Sequence, residues 1–385
     1  MDRRLFIKLA GSAAAVSALP VFGTAFAADP IKVGVLLPQS GPGGLFGPSC
    51  ENAANLAVAE INEAGGILGR MIEPVFADVG GPPSDANQAA LKLWKGEKVE
   101  AFVGMHDSAV RGALTNLFKG QVPYIYTPVY EGGECSAGTF VLGETPAQQL
   151  EPVIPWMAAN KGASKWYLIG NDYNWPRDTN AAAKGYIEAS GGTVVGEEYL
   201  PFTADNFDSN LAKIKSSGAD AVLITLVGGA SVGFNRAFAS FGLPDSVVRL
   251  GTLIEENTLA GIGAENSKNL FSSAGYFASI DTPAATAFSE AYHGKFGADA
   301  AALNSLGESC YEGLKLLQAM AEKAGSLDVA ELANAAEGTS YDGPRGRATM
   351  SERHVSRDIF LAEADGAGFK VVETFPSVSA GKNCP

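Results

Sequence analysis

Residues 229–233 read Gly-Ala-Ser-Val-Gly, the G-x-S-x-G pattern that in α/β-hydrolases lifts a serine nucleophile onto a sharp strand-to-helix turn. Ser231 follows the apolar run "AVLITLV", and Asp281 and His293 come after it in the chain order such hydrolases use. The pattern is cheap, because every α/β protein has strand-turn-helix corners rich in Gly and Ser. The remaining parts of an acyl-transfer site are missing from the sequence. His293 lies inside the helical pattern "ATAFSEAYHGKF", and no His-Gly-Gly loop in the first half offers an oxyanion hole. Ser231 is therefore expected at the lip of a cleft, and no catalytic residue is assigned.

Other chemistry fails in the same way. The loop "SGPGGLFGPS" has Gly41 and Gly43 but Phe46 where a dinucleotide fingerprint needs its third glycine, and it has no P-loop lysine. His106 stands beside Asp107, yet no His or Cys recurs at metal-ligand spacing. His354, between Arg353 and Arg357, reads as a surface residue. Neither a cofactor nor a metal is expected. A net charge of −14 argues against a nucleic-acid partner, which would require a basic face.

The N-terminus combines Arg3, Arg4 and Lys8 with an Ala- and Val-rich stretch and ends in Ala25-Phe26-Ala27, the small-x-small pattern of a signal-peptidase site. Residues 1–27 are expected to be an export signal. Arg3-Arg4-Leu5-Phe6-Ile7-Lys8 resembles a twin-arginine signal, and a Sec signal begins with basic residues too, so both routes stay open. Removing the net +2 of this segment takes the chain from −14 to −16.

Four cysteines in an exported chain invite pairing. Cys50 and Cys310 each fall on the apolar side of a helical pattern, where they could pair or remain buried thiols. Cys135 and Cys384, in loop and tail sequence, could form a second pair.

Those candidate residues must be held by elements, and the elements alternate. "IKVGVLL" is a continuous apolar strand of the kind buried on both faces of a parallel sheet. "SCENAANLAVAEINEAGG" follows at helical spacing and stops at Gly65-Gly66. Further strands and helices alternate to "VPYIY", and the alternation restarts at "KWYLIG". The expected fold is α/β, with two doubly wound parallel-sheet lobes, a ligand cleft and a multi-segment hinge. The first lobe is expected to comprise residues 28–143 and about 280–338, the second 144–279 and about 339–385. Ligands in such sheets bind beyond the carboxyl ends of the strands, where helix N-termini point inward.

"INEAGGILGRMIEPVFADVGGPPSDANQAALKL", "YTPVYEGGE", "IGNDYNWPRDTN", "TLVGG" and "ASIDTPAATAFSEAYHGKF" occur in this order along the chain. Together they resemble type I periplasmic solute-binding proteins of the branched-chain amino acid, amide and urea class, and most of all the amide- and urea-binding branch. Thr127-Pro128-Val129 before Tyr130 departs from that branch, so the ligand does not carry over with the fold.

The resemblance and the strand-end rule converge on a set of residues. Ser108 opens a helix whose apolar stripe is Val110, Leu114, Leu117 and Phe118; it is expected to cap that helix and to meet a ligand oxygen. His106, Pro128 and Ser305 are also expected to line the cleft. Tyr126, Tyr130, Tyr173 and Trp175 would wall a small amide, a urea, an amino-acid side chain or a modest aromatic acid. Val227 and Gly228 would offer carbonyls. Glu255 or Glu256 would hold the ammonium of an amino-acid ligand. The implied protein is a periplasmic, monomeric component of an ABC importer that closes its lobes on a small polar solute and presents it to an inner-membrane permease. A ligand sensor of the same fold is the alternative.

Overall fold

The computed structural model describes residues 29–384, so the expected signal segment lies outside the described residues. β1 (Ile31–Leu37) is a buried inner strand of the first sheet, its apolar residues covered on both faces. It is followed by α1 (Gly47–Glu63), β2 (Ile72–Asp78), α2 (Pro83–Leu91), β3 (Ala101–Gly104), α3 (Ser108–Phe118), β4 (Tyr124–Tyr126) and β5 (Thr139–Val141). The five strands run parallel in the order β2-β1-β3-β4-β5.

The chain then enters a second lobe through α4 (Pro146–Gln149) and α5 (Val153–Lys161). Here β6 (Lys165–Asn171), α6 (Asn174–Ala189), β7 (Thr193–Leu200), α7 (Asp208–Ser217), β8 (Ala221–Thr225), α8 (Gly228–Ser240), β9 (Val248–Gly251), α9 (Glu256–Ile262) and β10 (Leu270–Ala274) repeat the alternation. Their parallel sheet has the order β10-β9-β8-β6-β7.

α10 (Pro283–Phe296) and α11 (Ser305–Ala324) return to pack on α1, followed by α12 (Val329–Ala336). The hairpin of β11 (Ser340–Gly343) and β12 (Gly346–Ser351) leads into β13 (His354–Asp365) and β14 (Gly368–Val378). β13 serves both sheets. Its first residue, His354, lies opposite Val141 of β5, and Phe360 to Glu363 pair antiparallel with β10. The expected return to the second lobe near residue 339 therefore falls later. β12 pairs with the start of β13, and Ala348, Met350 and Val355 are buried in the first lobe's core.

The chain passes between lobes after β5, after β10 and along β13, and a buried ionic cluster sits where these passages meet. Arg345 donates to Glu144 Oε1 at 2.7 Å and to Glu312 Oε2 at 2.9 Å, and Arg357 donates to Glu312 Oε2 at 3.3 Å. Glu308 completes it, its Oε2 2.9 Å from Arg345 Nε. Three carboxyl groups thus share two guanidiniums out of water. Burial, with the Glu312 charge beside it, pushes Glu308 well above the usual carboxylate range.

Cys135 and Cys384 form a disulfide, which carries the tail after β14 back to the first lobe. Along the way Ala380 O accepts from Thr145 Oγ1 at 2.8 Å, and Asn383 Oδ1 accepts from Gly133 N at 3.0 Å. Cys50 and Cys310 are free thiols facing each other across α1 and α11; burial, reinforced by Cys310, raises the Cys50 thiol well above its ordinary value. His354 is buried rather than superficial, paired through Nε2 with the Tyr130 hydroxyl.

Candidate functional site

A cavity lies between the lobes at the carboxyl ends of their strands. The loop after β1 contributes Pro38, Pro42, Gly43 and Phe46, and the end of β2 adds Val79 and Gly80. From β3 and β4 come Met105, His106, Asp107, Ser108, Tyr126, Pro128 and Val129. The second lobe supplies Tyr173, Trp175, Phe202, Val227 and Leu253, and α11 supplies Leu306.

The polar residues in this lining are few, and most are already engaged. Asp107, rather than Ser108, caps α3, with Oδ1 accepting from Val110 N at 2.8 Å. Ser108 occupies the first helical position, and its hydroxyl donates to Glu131 Oε2 at 2.6 Å while accepting from Arg111 NH1 at 3.1 Å. His106 sets Nδ1 3.1 Å from the Asp107 carbonyl and Nε2 2.7 Å from the Tyr124 hydroxyl. A carbonyl only accepts, so Nδ1 carries the proton and Nε2 receives one from Tyr124. Burial lowers the His106 pKa to about 4, which keeps the ring neutral. The Tyr126 hydroxyl donates to His106 O at 2.9 Å. Across the cleft, Tyr173 stacks obliquely between Trp175 and Phe202, with ring centroids 6.2 Å and 5.0 Å away. Trp175 is a buried lining residue whose Nε1–H has no partner, a costly arrangement for a donor out of water.

Seven of the twelve residues expected from sequence meet in this lining: His106, Ser108, Tyr126, Pro128, Tyr173, Trp175 and Val227. The other five do not. Tyr130 turns its hydroxyl to His354. Gly228 forms the lobe contact at Pro42 rather than a wall. Glu255 is spent as the cap of α9, accepting from Asn257 N at 2.8 Å and from Thr258 N and Oγ1 at 2.7 Å each. Glu256 accepts from Ala278 N at 2.7 Å, and burial raises its pKa to about 8, so it is mostly neutral near pH 7. Ser305 is the first residue of α11 and its carbonyl accepts from Ser309 Oγ at 2.7 Å; the adjacent Leu306 reaches the cavity instead.

The sequence reading missed Phe46, Val79, Met105, Phe202, Leu253 and Leu306 as individual wall residues. Applying the strand-end rule to β2 and β7, as it was to the other strands, would have found Val79 and Phe202. It also missed the carboxylate of Glu131, which joins Ser108 and Arg111 to Asn174.

Ser231 lies in the first turn of α8, fully buried, with a hydroxyl that has no hydrogen-bond partner. His293, on α10, turns Nδ1 to the Ser289 carbonyl at 2.8 Å. The exposed elbow that nucleophilic attack requires is not formed.

Two parallel-sheet lobes closing on a mostly apolar cavity across several chain crossings define a two-lobed solute-binding fold. The sequence pattern of the periplasmic binding protein family matches residues 30–369, and the chain belongs to that family. It is 28% identical over 379 residues, 94% of this chain and 96% of the relative, to Leu/Ile/Val-binding protein homolog 6 of Brucella melitensis. It is also similar to the solute-binding protein of an ABC transporter from R. palustris in complex with 4-hydroxybenzoate: TM-score 0.84, 27% identity, covering 92% of this chain and 99% of that one. A solute-binding protein from Rhodopseudomonas palustris HaA2, in complex with p-hydroxybenzoic acid, gives TM-score 0.84 at 28% identity with the same coverage. All three are binding proteins and not enzymes, and the two Rhodopseudomonas proteins are solute-binding proteins of ABC transporters.

Proposed function

We propose that this protein is the periplasmic, extracytoplasmic solute-binding component of an ABC importer and that its cavity takes a small aromatic carboxylic acid. The observation that carries the ligand class is the wall itself. Phe46, Tyr126, Tyr173, Trp175 and Phe202 surround a space in whose wall Trp175 Nε1 is a side-chain donor without a partner, while Glu255 and Glu256 bond to backbone amides elsewhere. An α-amino acid would bury an ammonium there, and an ion left unpaired costs several kcal/mol. A flat acid instead buries its ring between aromatic faces, and its carboxylate is met by N–H groups, that of the indole and those at the start of α3, which suit an anion and not an ammonium. The benzoate-type ligands of the two Rhodopseudomonas proteins support the same class.

A small amide or urea is the second reading. It is favoured by Ser108, whose only proton is committed to Glu131, so that toward a ligand the hydroxyl offers a lone pair suited to an N–H. In either case capture shifts the population from open to closed lobes with no covalent chemistry, and the closed surface is what the permease reads. A sensor of the same fold would share this site and differ only in its partner.

Calorimetric titration of the mature protein with 4-hydroxybenzoate, benzoate, benzamide, urea, leucine and isoleucine tests the assignment. Binding of the two benzoates at least tenfold tighter than the others is expected. Tighter binding of leucine or of urea overturns it.

A further inference from the structure

We propose that Glu131 is a closing latch that the ligand does not touch. Its carboxylate sits outside the cavity lining yet collects three donors from both lobes. From the first lobe, Ser108 Oγ donates to Oε2 at 2.6 Å and Arg111 NH2 donates to Oε1 at 2.7 Å. From the second lobe, Asn174 Nδ2 donates to the same Oε1 at 2.8 Å. Asn174 stands at the start of α6, between Tyr173 and Trp175, so the residue that reaches the latch adjoins two of the cavity's walls.

The first-lobe half is built in advance. Arg111 also donates through Nε to Glu134 Oε2 at 3.1 Å, and its guanidinium lies over the rings of Tyr126 and Tyr130. Residues 131–135 are pinned by the Cys135–Cys384 disulfide and by the bond from Gly133 N to Asn383. With Ser108 and Arg111 fixed on one side, the carboxylate has a single bond whose making depends on lobe closure, the one from Asn174. Being charge-assisted and largely out of water, that bond is of the stronger kind. It adds to the closed state only, so it slows ligand escape and leaves capture by the open form unchanged.

The kinetic test rests on the benzoate reading, while a second test does not. Release of 4-hydroxybenzoate is followed by stopped flow in the parent protein, Asn174→Ala, Glu131→Ala and the double variant. Release five- to tenfold faster in Asn174→Ala, with an unchanged association rate, is expected. Adding Asn174→Ala to Glu131→Ala should accelerate release no further, a coupling that a merely structural role for either residue would not produce. Effects that multiply, or an unaltered release rate in Asn174→Ala, overturn the latch. Small-angle X-ray scattering of the ligand-free proteins needs no ligand assignment. The bond stabilises the closed fraction that the ligand-free parent holds, so a larger radius of gyration in Asn174→Ala is expected; a parent that scatters as a closed molecule with a variant curve superimposable on it overturns the latch. If the parent ignores 4-hydroxybenzoate while scattering shows the shift, the ligand assignment falls and the latch stands.

Discussion

Gly228 packs against Pro42 across the cleft so closely that a Cβ at position 228 would stand 2.0 Å from the Pro42 carbonyl oxygen. Gly228 also has φ +54°, a left-handed conformation that favours glycine. The two lobes thus meet backbone to backbone, and the space is that of a hydrogen atom.

Gly228→Ala is therefore expected to hold the lobes apart. The local backbone cost is about 1 kcal/mol, visible as a small drop in melting temperature. Ligand affinity should fall at least tenfold, because the closed state loses more than the open one. An affinity within twofold of the parent by calorimetry would show that the cavity closes without this contact.

Trp175→Phe removes the unpartnered indole N–H and keeps most of the ring. Loss of a ligand hydrogen bond corresponds to about 1 kcal/mol, or five- to tenfold in affinity. Without ligand the variant should melt no more than a few degrees below the parent, since no bond inside the protein is broken. Equal affinity for 4-hydroxybenzoate would place the ligand's acceptor elsewhere.

Ser231→Ala tests the hydrolase motif from the opposite side. The hydroxyl is buried with no partner, so its removal should be neutral or stabilising by up to about 1 kcal/mol, measured by denaturant unfolding. Binding should not change. A marked loss of stability would mean that the hydroxyl holds a bond through an ordered water.

Glu256 predicts a pH dependence. Its folded-state pKa is about 8, raised first by burial and also by the Glu255 charge, whereas the unfolded chain titrates near the ordinary value of 4.5. Between those values the folded state holds the extra proton, so the stability it contributes is complete below about pH 4.5 and is lost as pH rises through about 8. Glu256→Gln, which keeps an acceptor for Ala278 N, should flatten this slope. By pH 9 it should be more stable than the parent by up to about 4 to 5 kcal/mol, each pKa unit being worth about 1.4 kcal/mol. A parent and a variant whose stabilities run parallel from pH 5 to 9 would exclude a titrating Glu256.

The fold was legible because continuous apolar strands and helical stripes alternate twice, and a parallel sheet is what such alternation builds. The cavity was legible as strand ends, which is why His106, Ser108, Tyr126, Tyr173 and Trp175 were found without knowledge of the ligand. The sequence left Glu255 or Glu256 as an ammonium partner because a carboxylate at a strand-to-helix turn looks alike whether it awaits an ammonium or caps α9; the structure shows Glu255 in the capping bonds to Asn257 and Thr258. Glu131 falls at a strand end, but its role could not be read, since it depends on a residue 43 positions away in the other lobe. The β11–β12 hairpin, short and polar on its outer side, gave no sign that Ala348 and Met350 reach the first lobe's core.

The Cys135–Cys384 bridge has a consequence for how the molecule can be held. The described chain begins in the first lobe at β1 and, because of the bridge, also finishes there. The second lobe is strung between two fixed points on the same body, like a flap sewn along one edge. An attachment at either end of the described chain would grip the first lobe alone and leave the second free to swing. A surface-immobilised or fused form should thus retain the full closing motion whichever end carries the attachment.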